Sequence, residues 1–108
     1  MSTPKVSLDP NPTFRKEIVI PGPGGQELKL DLEFRHRDVD ELKEFIAGEK
    51  AVGRSDVQSI LEAVANWHNC TEEFNEASVA KLVQKWHSAP GVIAASYVHE
   101  QTGARLGN

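Results

Sequence analysis

Cys70 and His68 stand two positions apart, and a thiol beside an imidazole is the pairing that nucleophilic catalysis or metal binding would use. As a nucleophile, Cys70 would need His68, His87 or His99 as general base, and a helix N-terminus or a neighbouring cation to favour its thiolate. It is followed instead by Glu72 and Glu73, whose negative charge works against the thiolate. A zinc site would announce itself by close ligand pairs such as CxxC or HxxxH, because a short loop must set two donors on adjacent tetrahedral vertices. Neither pair occurs, and His36, His87 and His99 are spread over other parts of the chain. With Cys70 as the single cysteine there is no intrachain disulfide, which fits a reducing compartment.

Gly22, Gly24 and Gly25 suggest a phosphate loop only at first sight. They alternate with Pro21 and Pro23, no Lys-Ser or Lys-Thr follows, and the chain continues as a strand where a phosphate site needs a helix N-terminus. The acidic residues are scattered over polar faces with no general acid and base pair. Arg35, His36 and Arg37 form a short basic cluster, but Asp38, Asp40 and Glu41 follow at once, as expected where a strand ends and a helix starts. A net charge of −4 and a pI near 5.5 supply no field for condensing on nucleic acid or anionic lipid. The reading is therefore of a protein with no catalytic residue, no metal site and no cofactor. The surviving candidates are aromatic. Trp67, Phe74, Trp86 and Tyr97 recur around the later helices, where each serves either the core or a protein interface, since aromatic side chains dominate interface hot spots.

At 108 residues, 39% hydrophobic and 26% charged, the chain has the size and balance of one folded domain. Residues 1–13 hold Pro4, Pro10 and Pro12 among few apolar side chains and read as a flexible N-terminal arm, without the apolar stretch of a signal peptide. From Lys16 to Ile20 and from Glu27 to Phe34 the chain is strand-like, with Leu28, Leu30, Leu32 and Phe34 at strict period two. The intervening Pro21-Gly22-Pro23-Gly24-Gly25 closes a β-hairpin whose leucine face must be covered, since an isolated hairpin is barely stable.

Four short helices are predicted downstream. The first starts at Asp38 with Glu41 completing a capping box, carries Val39, Leu42, Phe45 and Ile46 on one face, and stops at a left-handed Gly48. The second is capped by Ser55 with Gln58 and runs through Val57, Ile60, Leu61 and Val64 to Trp67. The third is capped by Asn75 and presents Val79, Leu82, Val83 and Trp86. The fourth opens at Pro90, carries Val92, Ile93 and Tyr97, and ends near Gly103. The expected fold class is α+β: an N-terminal hairpin and a bundle of about four short helices over residues 14–103, with a flexible tail over residues 104–108. No segment approaches membrane-spanning length, and the expected location is the cytoplasm.

The ordered pattern resembles the tail assembly chaperones of long-tailed bacteriophages and their prophage relatives. The resemblance runs from Leu8-Asp9-Pro10-Asn11-Pro12-Thr13-Phe14 and the glycine-rich hairpin through Phe34-Arg35-His36-Arg37 and Asp40-Glu41-Leu42-Lys43-Glu44-Phe45. It resumes at Trp67, Glu73-Phe74-Asn75 and Ala89-Pro90-Gly91, and closes at Thr102-Gly103-Ala104-Arg105-Leu106-Gly107-Asn108. Where family members often have a tyrosine before the Pro-Gly step, this chain has Trp86-His87-Ser88-Ala89. The resemblance implies a protein of the bacterial host cytoplasm that binds the aggregation-prone tape measure protein and helps recruit tail tube subunits. It also implies self-association into rings or spirals, absence from the mature virion, and in many relatives a longer frameshifted form. A small helical DNA-binding regulator using the second and third helices, and a thiol- or metal-dependent enzyme using Cys70 and His68, are the competing readings.

Overall fold

The computed structural model describes residues 3–103. The predicted tail over residues 104–108 and the first two residues of the predicted arm lie outside them. Residues 3–12 are exposed and carry no regular secondary structure, and the chain then enters a three-stranded antiparallel sheet of order β1-β2-β3. β1 spans Thr13–Pro21 and β2 spans Glu27–Arg35, paired in unbroken register from Thr13 opposite Arg35 to Pro21 opposite Glu27. The period-two pattern decides which face is covered: Ile18, Ile20, Leu30, Leu32 and Phe34 are buried, while Arg15, Glu17, Lys29 and Arg35 point to solvent. Between the strands Pro23–Gly25 makes a single 3-10 turn in which Gly24 and Gly25 sit at φ 68° and 79°, values that only glycine adopts without strain.

The helices cover the leucine face. α1 (Val39–Ala47), α2 (Asp56–Ala63) and α3 (Glu76–Lys85) each begin with the reciprocal side-chain cap predicted for the first two and the asparagine cap predicted for the third, with Ser78 as the unforeseen partner of Asn75. α4 (Ala89–Thr102) opens with proline in its first turn and closes on left-handed Gly103 at φ 70°. The core of Phe34, Leu32, Ile20, Val64, Val79, Ile93 and Tyr97 lies between the sheet and α2, α3 and α4. An α+β domain with an N-terminal hairpin followed by four helices is thus what the chain forms.

Two local readings are corrected. The second helix stops at Ala63, and Val64–Trp67 is a strand, β3, paired antiparallel with β2. Val64 and Trp67 are three apart, a helical spacing that a regular strand would split between its two faces. A bulge opposite the Glu33–Phe34 step absorbs one residue and returns both to the core, so the spacing imitates a helix. Asn69 then extends the ladder with its side chain, accepting from Asp31 N–H and donating to the Lys29 carbonyl at 2.9 Å each. The second correction concerns Gly48, which has extended dihedrals, φ −74° and ψ 174°, where a left-handed residue was expected. Glycine is required there for space: Glu44 occupies the place a Cβ would take.

Candidate protein-binding surface

Tyr97 is fully buried and works as a junction. Its hydroxyl accepts from Arg37 Nη1 at 2.7 Å and donates to the Arg35 carbonyl at 2.8 Å, while Gln101 Nε2 lies 3.0 Å away. Its ring packs against Phe34 at 5.3 Å and meets Phe45 edge-on at 5.5 Å. Trp67 is buried too, with Nε1 donating to the Glu72 carbonyl at 2.6 Å and the half-buried Phe74 ring standing edge-on at 5.2 Å. Trp86 is half-buried at the C-terminus of α3 and lies directly on Gly22 of the hairpin, where no Cβ would fit. The four aromatics singled out from sequence therefore do not form one patch. Trp67 and Phe74 touch, Trp86 holds the hairpin tip, and Tyr97 ties β2 to α1.

The exposed apolar surface lies elsewhere, on side chains that sequence reasoning assigned to the core. Val39 and Ile46 of α1 are 69% and 51% exposed, although Leu42 on the same helix is buried. α1 is held chiefly through Phe45, which lies on Tyr97 with the guanidinium groups of Arg37 and Arg54 each 4.4 Å from its ring centroid. Arg54 also donates to the Phe45 carbonyl at 2.9 Å and pairs with Glu62 at 2.8 Å. With Leu42 and Phe45 as its inward contacts, α1 borders a groove of about 420 Å³ between itself, α2 and α4. Ile46 and Phe45 form one wall, Ile60 and Ala63 belong to α2, and Gly91 and Ala94 of α4 supply the small residues that keep it open. On the other side of α1, Val39, Leu42 and Ile46 face Leu8 and Pro10 of the N-terminal segment. The sequence places the four large apolar residues of α1 on one face, and periodicity alone cannot divide that face between core and surface.

The polar candidates are scattered over several elements. His68 Nε2 lies 2.7 Å from Glu33 Oε1, whose carboxyl is held below the usual range by the Thr13 hydroxyl and then by His68. Asp31 is likewise lowered by its hydrogen bond from Arg15. The Arg15–Asp31 ion pair and the His68–Glu33 contact are partly exposed and contribute little to stability. Cys70 is partly buried against the core. His36 closes the sheet by donating its N–H to the Pro12 carbonyl, and His99 lies 3.9 Å from Glu100. Among the described residues no group of three or more His, Cys, Asp or Glu stands close enough to hold a metal ion, and no helix is long and apolar enough to cross a membrane. Within the basic cluster Arg37 is used internally, stacked on Phe45 and bonded to Tyr97, while Arg35 points to solvent. β3 and the loop after it separate α2 from α3, so these two helices lack the short turn that a helix-turn-helix reader needs.

Comparison with curated proteins and with solved structures gives no match. A family model described as phage tail assembly chaperone matches residues 1–108, the whole chain.

Proposed function

Since the chain belongs to the phage tail assembly chaperones, we propose that it holds the tape measure protein during tail morphogenesis and that the groove between α1 and the α2–α4 pair is where it does so. The observation that carries this reading is the combination of an apolar groove with exposed Ile46 in its wall. A groove walled by Phe45 and Ile60 and lined by Gly91 and Ala94 suits the apolar face of a client helix, whose anchors recur at three and four residues. Phe74 and Trp86, each half-buried, are further anchors on the same molecule, while Trp67 and Tyr97 act through the core that supports them.

The same reading has the protein recruit tail tube subunits, associate with copies of itself, act without catalysis in the bacterial host cytoplasm and leave before the virion is complete. Its test is retention of purified tape measure segments on the immobilised chain, compared with an Ile46→Glu, Ala94→Glu variant altered at two groove-lining residues. Both positions are exposed, so the variant should fold normally while retention falls at least about tenfold, the equivalent of 1.4 kcal/mol. Retention equal to the parent would move the binding site away from this groove.

A further inference from the structure

The two sides of the sheet are finished differently. On the β2 side, β3 pairs with Leu32 to Phe34, the His68 N–H donates to the Asp31 carbonyl at 2.9 Å, and the Asn69 amide satisfies Asp31 and Lys29. The β1 side has no such cover. Gly22 N–H bonds the Gln26 carbonyl and His36 N–H bonds the Pro12 carbonyl, which fixes the alternation of the ladder. Even-numbered residues of β1 point their amides and carbonyls at β2, and odd-numbered ones point them outward. Among the described residues, no backbone hydrogen bond reaches the outward groups of Thr13, Arg15, Glu17 and Val19. The open stretch ends at Pro21, which has no N–H and whose carbonyl already accepts from Ser88 Oγ at 2.7 Å. No proline or bulge interrupts Thr13 to Val19, and what guards the edge is charge, on Arg15, Lys16 and Glu17, so a strand added here must answer those charges.

We propose that the occupant of this edge is β1 of a second copy, running antiparallel, with Lys16 opposite Lys16 at the two-fold axis. Two independent features choose that register. It places Arg15 opposite Glu17 of the second copy, twice by symmetry, and Thr13 opposite the partly exposed Val19. It is also the longest register that keeps Pro21 out of the paired segment. Sliding one step toward the hairpin sets Glu17 against Glu17 and forces Pro21 opposite Thr13; sliding one step the other way sets Arg15 against Arg15. Like charges directly opposite are destabilising, whereas the chosen register pairs opposite charges. The two Lys16 side chains meet on the helix-covered face, where Glu100 of each chain lies 3.8 Å from its own Lys16 and offsets their repulsion. The contact is isologous and closes on itself, so any ring or spiral must grow from a different surface.

This inference deepens the self-association in the function proposed above, and its test uses the purified chain alone, so its failure leaves client binding a separate question. In a Cys70→Ser background, Lys16→Cys should form a disulfide-linked dimer under mild oxidation, because residues opposite in a non-hydrogen-bonded pair lie within disulfide reach. Arg15→Cys and Glu17→Cys should cross-link far more slowly. The parent chain should sediment as a dimer or a multiple of it. Glu17→Arg should shift that mass toward half, and Arg15→Glu combined with Glu17→Arg should restore it. A monomeric parent, or cross-linking at position 15 or 17 that outpaces position 16, overturns the proposal.

Discussion

The hydroxyl of Tyr97 gathers Arg37, the Arg35 carbonyl and Gln101 at the point where the end of the sheet meets α1 and α4. Removing it with Tyr97→Phe keeps the ring contacts to Phe34 and Phe45 but leaves a partly buried guanidinium short of a partner. The expected loss is about 1–2 kcal/mol in urea unfolding followed by tryptophan fluorescence, with α1 the first element to loosen. Among the aromatic side chains named from sequence, this one is fully buried yet also lines the groove beside α1. Its role follows from its surroundings: a tyrosine at helical spacing looks the same in sequence whether its hydroxyl reaches solvent or a guanidinium.

At the scale of elements, two glycines separate steric need from propensity. Gly22→Ala would push a methyl into the Trp86 ring that seals the hairpin tip, and the expected cost is about 1–3 kcal/mol. Gly91→Ala, in the first turns of α4 with open space around it, should instead stabilise the fold by about 0.5 kcal/mol. Thermal unfolding of the two variants beside the parent checks both signs. The elements legible in the sequence are those with local signals: the period-two leucines, the capping residues Asp38, Ser55 and Asn75, the proline that opens α4 and the glycine that closes it. What was not legible depends on partners distant in sequence. β3 exists because β2 offers an edge beside Val64 and Trp67, and the bulge that lets both face inward has no signature in four residues. The extended Gly48 is set by the position of Glu44, and the exposure of Val39 and Ile46 by how α1 is hung from Phe45.

For the whole molecule, the fold separates its jobs by surface. The covered face of the sheet holds the domain together, α1 borders an apolar groove with α2 and α4, and the β1 edge stays open on the flank. In the proposed function, this arrangement would protect a client by covering apolar helix faces that would otherwise meet one another. The most direct measurement is co-expression with the tape measure protein, scoring the fraction of that client in the soluble extract. The account expects the parent chain to keep the client soluble and to copurify with it, and expects Ile46→Glu with Ala94→Glu to lose most of that effect while remaining folded. A client equally insoluble with and without the parent chain would contradict it.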